Sequence, residues 1–411
     1  MAVTAIEFND TGLLAVRDGT TLLESPGFAL IENGSVVTGA AASASARVKP
    51  GSIVNRFWDS LSLDAPSTAA AGGHNNADLA YLHLDAIRRE LGADGDDFVL
   101  CVPGAFTRQQ LGLLLGIARE CKMTVTGLVD SAVAAAVGAA GGGRLLHLDA
   151  QLHRIVLTEL DAGQSLARSA VHELNRFGLL ALRECWAEAI ADAFVKTTRF
   201  DPMHLAASEQ QLYDKLPGWL TELHDDPGAA LTLGSGDTTH AVSVTPERLA
   251  RASADLYQQI VQLISSRLRP GDRVTLLLSH RLACFPGLHE QLAQLAEAPV
   301  ELEAGAAARG ALAQLSYLRS TGDALQFVTS LPLGRAKASL NAPSDASPAR
   351  RGVTPTHVLY GSRLYALGKT PLVVGAAVPD DVAGFSVRGP APGVSRQHFA
   401  LQADADGVLL T

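Results

Sequence analysis

The chain contains 411 residues, of which 47% are hydrophobic and 18% are charged, so it is long enough for two or three domains with sizeable cores. Aromatic residues make up only 5%, which favours helix-rich α/β structure over an all-β sandwich. The net charge of −9, without a Lys/Arg-rich block, argues against a nucleic-acid surface.

The sequence also lacks the usual signals for export. Its first residues, MAVTAIEFND, contain no basic region and no long apolar run, and no uncharged apolar stretch reaches about 18 residues. The four cysteines lie far apart, without metal-ligand spacing. We therefore expect a cytoplasmic protein with buried thiols, no membrane span and no metal centre.

The first hundred residues alternate between short apolar runs and turn residues. Ala5–Val16 predicts a hairpin that turns at Asn9–Gly12. Leu30–Val37 predicts one strand, followed by an Ala-rich helix that reaches Arg47. Apolar residues at helical spacing predict a helix over Ala77–Leu91 with Gly92 as its C-cap.

The next stretch predicts a parallel βαβ unit followed by another helix. Phe98–Val102 and Thr124–Val129 are apolar runs typical of buried strands. Between them, Thr107 and Gln110 have the spacing of a capping box at the start of a helix. We expect Ser131 to cap the Ala-rich helix that follows.

The second half of the chain continues the α/β pattern. The predicted elements are strands Arg144–Asp149 and Arg154–Leu160, helices Leu179–Phe194 and Glu209–Leu223, a strand pair over Leu231–Val244, a helix from Pro246 to about Arg267, and strand Arg273–Leu278. The pair His172–Glu173 is expected at a polar helix entry. His147, His153 and His280 lie on different segments, which argues against a shared metal.

Three motifs in the central unit carry a family resemblance. They are Val-Pro-Gly-Ala-Phe at 102–106, Arg-Gln-Gln at 108–110, and Asp-Ser-Ala-Val-Ala-Ala at 130–135. In this order they resemble the nucleotide-binding domain of the seventy-kilodalton heat-shock chaperones, in the actin and sugar-kinase superfamily. The resemblance covers residues 1–335.

That resemblance implies a two-lobed actin-like ATPase fold built from two RNase H-like domains. Lobe I would comprise about 1–143 plus 311–335, and lobe II about 144–310. Each lobe would contain a five-stranded mixed sheet, and nucleotide would bind in the cleft.

The resemblance also implies site residues. Glu7, Asp130 and Asp149 would be the catalytic or metal-binding acids of an active enzyme. The nucleotide-binding set would be Thr11, Asp149, Ser279, His280 and Arg281, with Arg281 on the adenine side. ATP or ADP with magnesium would be the cofactor.

Several substitutions argue against activity. The family's phosphate loops contain glycines that let backbone N–H groups approach phosphate, and this chain has Asn9-Asp10, Ala150–His153 and Ser279-His280 instead. A carboxylate at Asp10, about 4 Å from a phosphate oxygen, would cost on the order of 4 kcal/mol at an effective dielectric of about 20. Trp58 stands where the family has a catalytic lysine.

We therefore predict a chaperone-like pseudo-ATPase that acts as a scaffold or protein-interaction module. The first alternative is a divergent but active ATP-binding chaperone or assembly ATPase. A weaker alternative is a filament-forming actin relative.

The C-terminal part has a different composition. Residues 336–355 are rich in Ala, Pro, Ser and Arg and predict a linker, whereas 356–411 alternate like short β-strands. Ser395-Arg396-Gln397-His398 resembles the Ser-x-x-His signature of forkhead-associated domains, which bind phosphothreonine, although the match is partial. It implies an incomplete β-sandwich, with Ser395 and Arg396 contacting a phosphothreonine-containing protein partner.

Overall fold

In the computed structural model the chain divides into two units, Met1–Ala336 and Lys337–Thr411. The structure describes residues 2–66, 72–92, 95–139, 142–268, 273–295, 299–319 and 325–333, and then 357–360, 363–366, 370–379, 382–386, 395, 397, 399–404 and 407–410. The expected linker, 336–355, lies outside the described residues.

The described residues up to 139 contain eight strands and four helices. In chain order they are β1 (Val3–Glu7), β2 (Leu13–Arg17), β3 (Thr20–Ser25), β4 (Ala29–Glu32), β5 (Ser35–Thr38), α1 (Ala40–Ser43), β6 (Ile53–Val54), α2 (Asn76–Leu91), β7 (Asp97–Val102), α3 (Arg108–Glu120), β8 (Thr124–Asp130) and α4 (Ser131–Ala136).

The rest of the first unit adds nine strands and seven helices among its described residues. They are β9 (Gly143–Ala150), β10 (Arg154–Ala162), β11 (Ser165–Asn175), α5 (Leu179–Thr198), α6 (Ala206–Asp225), β12 (Ala230–Ser235), β13 (Thr238–Ser243), α7 (Pro246–Ala252), α8 (Ala254–Ser265), β14 (Val274–Leu278), α9 (Leu288–Leu292), β15 (Val300–Glu301), α10 (Ala306–Ala313), α11 (Leu315–Leu318), β16 (Phe327–Val328) and β17 (Ser330–Pro332).

Two six-stranded sheets organise the first unit, and five strands of each follow the same plan. The first sheet has the order β3-β2-β1-β7-β8-β16, and the second β11-β10-β9-β14-β15 with β17 beyond β11. In each, three strands form an antiparallel meander, and two later strands run parallel to the first of them. The expected mixed α/β class is confirmed.

The sixth strands correct the expectation of five-stranded sheets. β16 pairs with β8 in the first sheet, and β17 pairs with β11 in the second. Thr329 lies between them, and its carbonyl accepts a hydrogen bond from the Arg168 amide at 2.9 Å. The chain therefore passes directly from one sheet to the other, which sequence periodicity over so few residues does not reveal.

Local predictions for the helix starts were partly right. Thr107 and Gln110 form the predicted capping box, in which each side chain accepts a hydrogen bond from the other residue's backbone N–H. The cap of α4 is Asp130, not Ser131, because the Asp130 carboxylate accepts from the N–H groups of Ala132 and Val133. The longer chain of the acid also reaches a partner on β11, as described below.

Three predicted elements have different bounds. The single strand over Leu30–Val37 is the hairpin β4–β5, because Asn33 and Gly34 both take positive φ and turn the chain back. The Ala-rich helix that was expected to reach Arg47 ends at Ser43. His172–Glu173 lies in strand β11, not at a helix entry.

The predicted long helix from Pro246 is two helices, α7 and α8. They meet at Ser253, which is buried and bonds the carbonyls of Leu249 and Ala250 through its hydroxyl. The same hydroxyl accepts from the Trp186 indole N–H at 3.2 Å. A serine that competes for its own helix backbone bends or ends the helix.

The described residues of the first unit form four hydrophobic clusters, of which the three largest pack its two main sheets. One packs α2 and α3 on the first sheet, and another packs α5–α9 on the second. The third contains residues of both sheets together with α4 and α10, including Val99, Val133, Leu145 and Ala308. Helices α4 and α10 thus share one core with both sheets.

The second unit is β-rich in its described residues, as the sequence predicts. It contains β18 (His357–Tyr360), β19 (Arg363–Ala366), β20 (Leu372–Gly375), β21 (Gly384–Ser386), β22 (Phe399–Asp404) and β23 (Gly407–Leu410). β18 and β19 form a hairpin, and the others form a sheet of order β21-β20-β22-β23. Leu372, Val374 and Phe385 are its buried side chains.

Among the residues that the structure describes, no helix combines the length and the apolar character needed to cross a bilayer.

The contact between α4 and α10 depends on a glycine. A Cβ added at Gly310 would lie 1.9 Å from the Ala134 carbonyl oxygen, which is backbone and cannot rotate away. We expect Gly310→Ala to lower the free energy of unfolding by about 3 kcal/mol, the upper part of the range for overpacking. Urea unfolding measures this change.

Gly112 provides the matched control because it lies in helix α3 with no atom near its missing Cβ. Gly112→Ala is expected to raise the free energy of unfolding by up to about 1 kcal/mol through helix propensity. Equal effects of the two substitutions would contradict close packing at Gly310.

Candidate functional site

Six of the sequence-predicted residues come together where three strands end. Glu7 ends β1, and Thr11 follows in the β1–β2 turn; Asp149 lies at the end of β9, before the β9–β10 turn. Ser279, His280 and Arg281 directly follow β14. The carboxyl ends of parallel strands are where α/β proteins bind ligands.

Arg281 extends from the second sheet to the turn of the first. Its Nη1 donates to Glu7 Oε1 at 2.9 Å, its Nε donates to Thr11 Oγ1 at 2.7 Å, and its Nη2 donates to the Gly12 carbonyl at 3.3 Å. The same Nη1 lies 3.6 Å from Asp149 Oδ1. The guanidinium therefore lies between the two acids, and the adenine-side role that the resemblance implies for Arg281 stays a prediction.

Arg281 places a buried cation between two acids. Burial alone would lower the pKa of Arg281, but Glu7 and Asp149 together raise it. Burial likewise opposes ionisation of Asp149, yet Arg281 holds the pKa of Asp149 below its usual range. Since only 6% of the Arg281 side chain is exposed, removing this arginine would leave the two buried acids without a cation between them.

Asn9 joins the β1–β2 turn directly to the β9–β10 turn. Its Nδ2 donates to Asp149 Oδ2 and to the Ala150 carbonyl, both at 2.9 Å. Its Oδ1 accepts from the backbone N–H and the hydroxyl of Thr11. Asn9 is 2% exposed, so these bonds are shielded from water.

Asp10 makes a second direct bond between the turns. Its Oδ1 accepts from the Leu152 backbone N–H at 2.7 Å, and its Oδ2 is buried without a partner among the described residues. Burial raises the pKa of Asp10 to about 7, although the Leu152 N–H opposes the change. The carboxyl of Asp10 is therefore protonated below neutral pH.

The turns consequently offer few donors to a ligand. The N–H groups of Thr11 and Gly12 both bond to Asn9, and that of Gln151 bonds to the Arg154 carbonyl. Together with Leu152, these are backbone groups at positions where a phosphate loop presents free donors. In this chain they are satisfied internally.

Asp130 lies nearby, and its carboxylate stabilises the fold through bonds to α4 and β11. Its Oδ1 caps α4, and its Oδ2 accepts from Arg168 Nη1 on β11 at 2.6 Å. Burial raises the pKa of Asp130, while the Arg168 guanidinium opposes that rise. Both carboxylate oxygens thus have protein partners, and the carboxylate links the two sheets.

Trp58, at the position of the family's lysine, belongs to the core. Its indole N–H donates to His83 Nδ1 at 2.9 Å, and the ring of Phe8 packs edge-on at 5.3 Å. Burial lowers the pKa of His83 to about 3, so the imidazole stays neutral and accepts this bond. The position contributes packing and no cation.

The space left between the acids is small. Glu7, His147, Asp149, His280 and Arg281 are among the residues that line a cavity of about 20 Å³. One or two waters fill such a volume, whereas a cofactor site needs about 300–1,000 Å³. Burial lowers the pKa of both His147 and His280, so neither adds charge at neutral pH.

Magnesium and nucleotide do not fit this arrangement. The cation between Glu7 and Asp149 is Arg281, and the Asp10 carboxyl caps an N–H that a phosphate would need. No group of three or more His, Cys, Asp or Glu side chains suited to a metal occurs among the described residues. We therefore derive no phosphoryl-transfer step.

Sequence reasoning treated Asn9 and Asp10 only as lost loop residues and did not identify them as the links between turns. It also missed Arg168, the partner of Asp130. The sequence did show polar side chains at two positions where the resembled family has glycine or threonine. It could not show their hydrogen-bond partners, because these lie in a turn about 140 residues away.

The residues predicted to contact a phosphopeptide, Ser395 and Arg396, belong to the second unit. Ser395 is exposed, its hydroxyl donates to the Gln397 carbonyl at 2.7 Å, and its carbonyl accepts from the Ala376 amide. Arg396 lies outside the described residues. Phosphothreonine binding by Ser395 and Arg396 stays a prediction.

No family model matches the chain, and no similar sequence was found among curated proteins.

The raised pKa of Asp10 predicts a pH-dependent stability. The folded protein keeps this proton up to pH about 7, whereas the unfolded chain releases it near 4, so the contribution of Asp10 falls as pH rises between these values. Relative to the wild type, Asp10→Asn should gain about 1.4 kcal/mol of unfolding free energy per pH unit there.

Urea unfolding at pH 4.5, 5.5, 6.5 and 8 checks this difference. Asp18→Asn is the control, because Asp18 is exposed in a turn with positive φ that asparagine also adopts. Comparison with this control isolates the contribution of Asp10. A pH-independent difference for Asp10→Asn would contradict the protonated Asp10.

Proposed function

We propose that the first unit is a non-catalytic relative of the actin-like ATPases, with its two six-stranded sheets as the cores of two lobes. The shared strand order of the sheets supports this reading, as does the position of the polar cluster at the ends of β1, β9 and β14. The resemblance of the sequence motifs to heat-shock chaperones is the reason for proposing this family. In this proposal the nucleotide site has become a structural junction.

The observation that carries the proposal is the direct bonding of the two turns, with Arg281 between the acids. Asn9 and Asp10 connect the turns to each other, and Arg281 occupies the position between Glu7 and Asp149 where a metal would lie. Phosphoryl transfer needs free N–H groups and a metal held by carboxylates. Here the same groups stabilise the fold.

Turns that are bonded to each other favour a scaffold over an ATPase whose lobes move when nucleotide binds. Closure of lobes around a ligand requires two arrangements of similar free energy. Opening here would break the bonds of Asn9 and Asp10 and expose the ion pair of Arg281, at a net cost of about 1 kcal/mol or more for each bond. We infer that the unit presents a fixed surface to a protein partner.

Calorimetry with ATP and ADP, with and without magnesium, tests the proposal on the full chain. We expect no binding heat and no change in melting temperature at millimolar nucleotide. Nucleotide at about 100 times its dissociation constant would add about 2.7 kcal/mol of stability. Saturable micromolar binding would contradict the proposal.

A second candidate, a divergent active ATPase, is favoured by one observation. Asp10 Oδ2, Asp149 Oδ1 and Ser279 Oγ are buried polar atoms without hydrogen-bond partners among the described residues, and such atoms often mark a ligand. Micromolar ATP binding that Asp149→Asn abolishes would favour this candidate.

A further inference from the structure

The hairpin β12–β13 is a separate two-stranded sheet beside the two six-stranded sheets. Its inner face is well anchored, because Leu231, Leu233 and Val242 are buried in the hydrophobic cluster of helices α5–α9. The His240 ring also stacks on the ring of Phe200, with 4.5 Å between their centres. A two-stranded sheet is short of backbone partners, so pairing with a further strand would stabilise it.

One edge of this hairpin is closed by side chains of α6. The Gly234 N–H donates to Gln211 Oε1, and the Thr232 carbonyl accepts from Lys215 Nζ, both at 2.9 Å. The backbone groups of residues 232 and 234 on β12 therefore face away from β13. In an antiparallel pair, a residue whose backbone groups face outward lies opposite another whose groups also face outward.

The other edge of the hairpin, on β13, is open. Thr239 and Ala241 lie opposite the two closed positions, and Ser243 continues the alternation. The backbone N–H and carbonyl groups of these three residues therefore face outward. None of these groups has a hydrogen-bond partner among the described residues, and all three residues are exposed. The edge can thus accept another strand.

The open edge lacks the features that usually prevent pairing between molecules. Proteins protect exposed edges with charged side chains, proline or bulges. Residues 238–243 read Thr-Thr-His-Ala-Val-Ser, without Asp, Glu, Lys, Arg or proline, and their register with β12 has no bulge. A second copy of the same strand would therefore bring no acidic or basic side chains of like charge opposite each other.

We propose that β13 pairs with β13 of a second copy of this chain, in an antiparallel dimer with two-fold symmetry. With Ala241 opposite Ala241 of the second copy, Thr239 lies opposite Ser243, so this register uses all three outward-facing residues. Each opposed pair exchanges two backbone hydrogen bonds.

The closed edge of the hairpin limits this assembly to a dimer. The outer strands of the resulting four-stranded sheet are the two copies of β12, whose edges are covered by Gln211 and Lys215. Pairing therefore ends at two chains and does not continue as a filament. It involves none of the residues of the joined turns, so it is independent of the proposed function.

Sedimentation equilibrium of the full chain, from about 1 to about 200 μM, tests the pairing. An interface built on one pair of short strands is small, so we expect a weak dimer with a dissociation constant on the order of tens of micromolar. A chain that stays monomeric over this range would overturn the proposal. An open series of larger species would also overturn it, because the closed edges allow only two chains.

Charge variants at position 241 test the strand, the register and the partner together. Ala241 is exposed, so Ala241→Lys and Ala241→Glu should keep the melting temperature of the wild type. Each variant alone places like charges opposite each other at the two-fold axis and should dimerise about 5-fold more weakly. An equimolar mixture of the two should recover the wild-type affinity, because opposite charges then meet.

Ala230→Lys is the matched control. Ala230 is exposed in the same hairpin, but it lies on β12, opposite Ser243 and away from the proposed axis. This variant should dimerise as the wild type does. Wild-type dimerisation by Ala241→Lys, or a mixture with Ala241→Glu that dimerises no better than either variant alone, would overturn the proposal.

Discussion

The junction of two turns, one from each six-stranded sheet, is the constraint on which the rest of this structure depends. Asn9 and Asp10 bond the turn after β9, and Arg281 returns from the end of β14 to Glu7. The bonds of Asn9 and Asp10 are buried, so water cannot replace them at low cost. The junction therefore fixes the two turns to each other inside the first unit.

This junction also engages the acids at the strand ends. The acids at the ends of β1 and β9 are present, but both face an arginine of the same chain. Asp130 is likewise held by α4 and Arg168. Most polar groups at these strand ends thus have partners within the chain, whereas Asp10 Oδ2, Asp149 Oδ1 and Ser279 Oγ are buried without hydrogen-bond partners among the described residues.

Much of the fold could be predicted from local sequence because buried strands and capped helices are encoded by neighbouring residues. The strand over 97–102 and the capping box of α3 are examples. Strand β11 was missed because most of its residues are not fully buried, which leaves no continuous apolar run. The resemblance was enough to group the site residues. It could not predict which residues the Arg281 side chain contacts, because these partners lie about 270 residues earlier in the chain.

The most direct test of the joined turns is hydrogen exchange at the Leu152 amide, measured with and without saturating Mg-ATP. If Asp10 accepts this N–H in solution, the amide exchanges slowly and nucleotide leaves its rate unchanged. Fast exchange that slows when Mg-ATP is added would mean that the turn is open and binds phosphate. That result would contradict the account of a nucleotide site closed by its own side chains.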